Sequence, residues 1–175
     1  SDHLEYKGKG KTGNHVINNA RALLFASILL DNKFYSDLSF SILRSNLPAL
    51  VSTDGFLREG SSHYQFIFTR WILEMLWLSK ISKKCDIYDL ILPFSSKLVE
   101  QCGFFIVEDL DDDLLSIPLI GDVSPDFPVN WLISLPFSKL AEDVYVDNKL
   151  SDIKAVHHDW ASLINQKPGL FTANL

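Results

Sequence analysis

Tyr64-Gln65-Phe66-Ile67-Phe68-Thr69-Arg70-Trp71-Ile72-Leu73-Glu74-Met75-Leu76-Trp77-Leu78-Ser79 is the stretch on which the fold turns. Tyr64, Ile67, Phe68, Trp71, Ile72, Met75 and Leu78 recur at steps of three and four residues, the period of one helix face. The spacing predicts a long helix from Ser61 or Ser62 to Ser79. Its mouth is unusual. Between Asp54 and Phe68 the chain crowds together a turn, the Arg58-Glu59 pair, two hydroxyls, the His63 imidazole and the Tyr64 phenol. A helix that only fills a core does not need so many polar and titratable groups at its start.

Working outward, the same periodicity continues on both sides. Thr53-Asp54-Gly55 breaks the chain ahead of this helix. Before it, Leu38, Ile42 and Leu43 mark a helix from Phe34 to about Val51, with a kink or early end near Pro48. Earlier still, Ile17, Ala20, Leu24 and Ser27 share a face of a helix that opens at Asn14, a good N-cap residue. A fourth helix is expected from Ile87 to Cys102, with a break at Pro93. Beyond Gly103 an acidic turn, Glu108 to Asp113, leads into Ile117-Pro118-Leu119-Ile120-Gly121-Asp122, and Pro125 and Pro128 forbid a long regular element. Two shorter helices are expected at Trp131–Leu140 and Ile153–Ile164. The expectation is an all-α fold of antiparallel helical hairpins, with a flexible Lys/Gly-rich loop over 1–13, a helical body over 14–165 and a polar tail over 166–175.

Composition sets the class. The chain has 175 residues, 47% hydrophobic and 22% charged, which is ordinary for a globular domain able to bury a core. No apolar run reaches the roughly eighteen residues of a membrane span. No basic-then-apolar leader opens the sequence, and a start at Ser1 is expected of a mature product or an excised piece. Cys85 and Cys102 have no motif spacing and are expected as free structural thiols. The net charge of −6 is uneven: residues 1–84 balance at +4 and residues 85–175 at −10. The polar groups at the helix mouths lie in the basic half, which suits an anionic partner.

Several tempting motifs do not carry chemistry. Gly10-Lys11-Thr12 looks like the end of a phosphate loop, but Glu5 replaces a required glycine and no strand precedes it. His157-His158-Asp159 places two imidazoles about a hundred degrees apart on a helix, which does not suit one ion. Asp111-Asp112-Asp113 lacks the alternate spacing and the glycine of a calcium loop. No metal or other cofactor is expected. The basic residues lack the dense patch and interleaved aromatics of a nucleic-acid binder. Two polar knots remain, Gly13-Asn14-His15 and the tract around Tyr64. Taken singly, Asn14 reads as a cap, His15 as a solvent-facing residue and Tyr64 as an amphipathic core residue.

Gly13-Asn14-His15 followed by Asn19-Ala20-Arg21-Ala22-Leu23, then Asp54-Gly55, Arg58-Glu59-Gly60-Ser61 and Tyr64, and finally Ile117-Pro118-Leu119-Ile120-Gly121-Asp122, resembles the heparinase II/III-type polysaccharide lyases. The likeness spans roughly residues 13–125. It implies an (α/α) toroid, here incomplete, and cleavage of uronic-acid glycans by β-elimination. It also implies an acidic polysaccharide substrate, a periplasmic or secreted setting and a β-sandwich following the helices. By the same resemblance Asn14 neutralises the substrate carboxylate, His15 acts as a base, and Tyr64 as an acid to the leaving oxygen or as a base. Arg58, Glu59, His63 and Gln65 are expected to bind substrate or support these three. Arg58 is the expected source of a lowered Tyr64 pKa. The sequence departs from the family at Gln65, where many relatives have His, and at Asn18, where many have Glu. A C5-uronyl epimerase shares the same first step, and a non-catalytic module binding a glycan or another protein is the alternative outside enzymes.

Overall fold

In the computed structural model, residues 13–105, 107–108 and 115–123 are described. They form four helices, α1 (His15–Leu29), α2 (Lys33–Leu50), α3 (Ser62–Ile81) and α4 (Cys85–Phe104), and a two-residue antiparallel ladder. In that ladder β1 (Val107–Glu108) pairs with β2 (Leu115–Ser116), Val107 opposite Ser116. Residues 1–12 of the expected loop, most of the acidic turn, the two later helices and the tail lie outside the described residues. No helix among the described residues is long and apolar enough to cross a membrane.

The helices come as two hairpins closed by the same turn. α1 ends at Leu29, Asp31 takes a left-handed φ of 46°, and α2 starts at Lys33. α3 ends at Ile81, Lys83 takes a φ of 58°, and α4 starts at Cys85. In each turn the residue after the left-handed one donates back five positions, Asn32 to the Ser27 carbonyl at 2.9 Å and Lys84 to the Ser79 carbonyl at 2.8 Å. This is the six-to-one closure of a helix C-terminus, made with Asp and Lys where glycine is commoner. Asn32 then caps α2 by accepting from the Phe34 N–H at 3.0 Å.

α1 packs on α2 and α3 on α4, while α1 lies beside α3 and α2 beside α4. Asn14, at the start of α1, meets Glu59 just ahead of α3, and Arg21, two turns on, meets Glu74. The two helices therefore run in the same direction. Ile17, Leu24, Leu43, Leu47, Ile72 and Ile91 are among the fully buried side chains between them.

α3 is buried almost all round, beyond the single stripe its periodicity predicts. Phe66, Leu73 and Leu76 are as inaccessible as Phe68 and Ile72, and so are polar Thr69 and Ser79. Partners explain this. Thr69 Oγ1 donates to the Gln65 carbonyl at 2.6 Å and Ser79 Oγ to the Leu76 carbonyl at 2.9 Å. Glu74 accepts from Arg70 Nε at 2.9 Å and from Arg21 Nε at 2.6 Å. Buried polar groups are tolerated when they are paired in this way.

The two prolines leave the helices intact. Pro48 sits in the last turn of α2, and α4 runs straight through Pro93 to Phe104. Pro93 and Asp89, one turn earlier, are both exposed. The Asp89 carbonyl that loses its donor thus lies on the water side, where solvent replaces it.

Candidate functional site

The loop between α2 and α3 is held from below by one side chain. Gln65, almost wholly buried, accepts from the Leu57 N–H at 2.7 Å. Its amide nitrogen donates to the carbonyls of Gly55 at 3.1 Å and Leu98 at 3.3 Å. Lys97 Nζ donates to the Thr53 carbonyl at 2.8 Å and Gln101 Nε2 to the Asp54 carbonyl at 2.9 Å, so the loop also rests on α4. A bridge between Val51 and Leu57 closes its neck. Gly55, at φ 97°, lies against the Lys97 backbone with no room for a side chain.

Ile117 to Asp122 is strapped across the mouth of α3. Ser62 N–H donates to the Ile120 carbonyl at 3.1 Å, and its hydroxyl accepts from the Ile120 N–H at 3.1 Å while donating to the Pro118 carbonyl. Ser61 caps α3 by accepting from the Tyr64 N–H at 3.1 Å and donates its own proton to the Asp122 carbonyl. Gly121, at φ 75°, passes so close that a Cβ there would stand 2.6 Å from the Gly60 carbonyl oxygen. All three sequence motifs, more than a hundred residues apart from first to last, thus meet at one helix mouth.

Asn14 joins the first knot to the second. Its Nδ2 donates to Glu59 Oε2 at 2.6 Å, and the residue is buried. This differs from the helix-cap expectation, since the Asn14 side chain makes no cap hydrogen bond. The Asn14 backbone is already helical (φ −60°, ψ −26°) where a capping residue is extended, so its side-chain oxygen does not meet the first-turn N–H groups. His15 is exposed and close enough to act electrostatically on Glu59.

The Glu59 carboxyl is shifted above the usual carboxylate range. Although the residue reaches solvent, partial desolvation of its carboxyl is the largest cause. The Asn14 hydrogen bond opposes it, nearby Asp122 adds to it, and His15 opposes it. Tyr64 is half-buried, and its phenol is shifted upward by desolvation, then by Asp122 and Glu59.

That direction is opposite to the lowering expected from Arg58. The phenol has carboxylates for electrostatic neighbours, and Arg58, though next to Glu59 in sequence, faces the other side of the loop. There it lines a groove with Pro48, Pro93, Phe94 and Lys97. His63 is buried, its ring edge-on to Tyr64 with centroids 6.5 Å apart, which makes it a wall of the site. Gln65 is consumed by its three backbone partners and supports the loop. Asp122 is the member that sequence reading left out of the site. The signal was present in Ile117–Asp122, but nothing in its spacing tells which helix it will cover.

The arrangement brings together a phenol shifted toward its neutral form, an amide bonded to a carboxylate, and an exposed imidazole. Among the described residues no group of three His, Cys, Asp or Glu side chains is placed to hold a metal ion. Comparison with protein-family models, with curated proteins and with solved structures returns no match.

Proposed function

We propose that this helical body belongs to a polysaccharide lyase acting on uronic-acid glycans by β-elimination. The observation that carries the reading is the 2.6 Å bond from Asn14 to Glu59, which ties together two polar knots 45 residues apart. The two hairpins with identical turns, set with α1 beside α3 and α2 beside α4, support a toroid, because consecutive hairpins of a helical ring pack in this manner.

In this reading a base, for which His15 is the residue at hand, takes the C5 proton of a uronate. The electrons left on C5 spread into the adjacent carboxylate. Glu59 holds one N–H of the Asn14 amide and sets its plane, and the other N–H serves the carboxylate as charge builds. The bond from C4 to the glycosidic oxygen then breaks, the C4–C5 double bond forms, and Tyr64 gives its phenolic proton to the departing oxygen. Carboxylate neighbours that hold Tyr64 protonated favour this acid role over a base role.

The test is Tyr64→Phe assayed on alginate-type and heparan-type oligosaccharides, with unsaturated product followed by its ultraviolet absorbance. Turnover should fall by about two to four orders of magnitude with little change in binding. Turnover within about threefold of wild type would remove Tyr64 from the chemistry. Inverted uronate without unsaturated product would identify an epimerase instead.

A further inference from the structure

The groove beyond the loop has a chemistry of its own. It lies between the end of α2 and the middle of α4, as a cavity of about 220 Å³. Pro48, Pro93 and Phe94 make an apolar floor, and Arg58 and Lys97 bring two cations to it. Lys97 spends one of its three N–H groups on the Thr53 carbonyl. Among the described residues no side chain or carbonyl accepts a hydrogen bond from the exposed Arg58 guanidinium, whose fork matches a carboxylate.

The loop therefore has two faces of opposite sign. Glu59 looks toward Asp122 and Tyr64, a corner that by itself repels an anionic polymer. Arg58, one residue earlier, looks into the groove. Charge complementarity places the attraction for a polyanion on this second face, next to the proposed chemistry and outside it.

We infer that the α2/α4 groove is a subsite for one uronate unit, its carboxylate taken by Arg58 and Lys97 and its ring face laid on Phe94 and the prolines. The choice of a uronate rests on the lyase reading. Size agrees with a single ring, since sites for drug-sized ligands run to roughly 300–1,000 Å³. Phe94 is half-buried and can present part of its ring to the C–H face of a sugar.

The test is calorimetric titration of the full chain with a mannuronate tetrasaccharide at low salt, with neutral cellotetraose for comparison. Wild type should bind the acidic sugar and not the neutral one. Arg58→Gln with Lys97→Gln should weaken binding by about tenfold or more, and Arg58→Lys by less, because it keeps the charge and loses the fork. Thermal melts confirm folding, and perturbation of the Phe94 ring resonances on titration supplies a readout in the wild-type protein. Equal affinity of wild type and double variant, equal affinity for both sugars, or a silent Phe94 would overturn the subsite. The two readings fail separately. Binding that depends on Arg58, with no turnover by any variant, removes the lyase and keeps the subsite. Turnover with unchanged binding in the double variant does the reverse.

Discussion

Replacing Gln65 by Leu removes the one side chain that holds the site-bearing loop to both α3 and α4. Leucine has nearly the same volume, so the buried space stays filled. What is lost is polar. The Leu57 N–H, held at 2.7 Å, and the Gly55 carbonyl, held at 3.1 Å, are left without these partners. The Leu98 carbonyl suffers less, because it lies inside α4 and keeps the helix ladder. Each orphaned buried group costs about 1–3 kcal/mol, so two should cost about 2–6 kcal/mol. Against a total stability of roughly 5–15 kcal/mol this is a large fraction. With a mid-range urea slope of about 2 kcal/mol per molar, the unfolding midpoint should drop by about 1–3 M. Trp71 and Trp77, both half-buried on α3, report the transition by fluorescence. Gln65→Glu offers an internal control. Its carboxylate would repel the Gly55 and Leu98 carbonyls at neutral pH, whereas the protonated acid can donate again, so its deficit should shrink on acidification. A loss below about 0.5 kcal/mol for Gln65→Leu would mean that the loop is held elsewhere and that the reasoning is wrong.

Other consequences follow from single contacts. Glu59 has a folded-state pKa above its unfolded one, so its favourable contribution is complete below about pH 4 and is lost as pH rises through the raised value. Glu59→Gln should therefore gain on wild type between pH 4 and pH 7 in urea midpoints, and a constant or reversed difference would contradict the assignment. Gly121→Ala should cost about 1–2 kcal/mol for the left-handed backbone alone. It should also lift Ile117–Asp122 from the α3 mouth, visible as a loss of the Asp122 influence on Tyr64 in a tyrosinate titration. Cys85 is exposed while Cys102, buried against Thr69, has its thiol pushed up to about 12. A thiol reagent should consequently label one cysteine in the native protein and the second only on unfolding.

The helices were legible because their apolar residues keep a 3.6 period, and each observed helix falls within a few residues of its expectation. Pro93 misled, since the sequence does not say that Asp89 and Pro93 share the solvent side of α4. Full burial of α3 was hidden for a different reason. Gln65, Arg70 and Glu74 look like a solvated face until their partners on α1, α4 and the loop are known. In the site, Asn14 and Tyr64 stood out as residue types at helix mouths. The orientation of Arg58 did not, because neighbours on a loop can face opposite ways, and Asp122 entered only through the hydroxyls of Ser61 and Ser62.

The trio of half-buried Arg21 with buried Glu74 and Arg70 has a meaning separate from stability. Ion pairs of this kind add little net free energy, because desolvation offsets the attraction. Their geometry, however, acts as a detent on the rotation of α3. Turning α3 by one residue, about a hundred degrees, would carry Glu74, with Arg70 beside it, away from Arg21 on α1 and break the contact between the two helices. The same rotation would swing Tyr64 off the carboxylate corner. An apolar replacement of all three residues should thus keep the helices and the melting behaviour while blurring the azimuth of the phenol, seen as exchange-broadened Tyr64 resonances. The trio indexes Tyr64 from about three turns away.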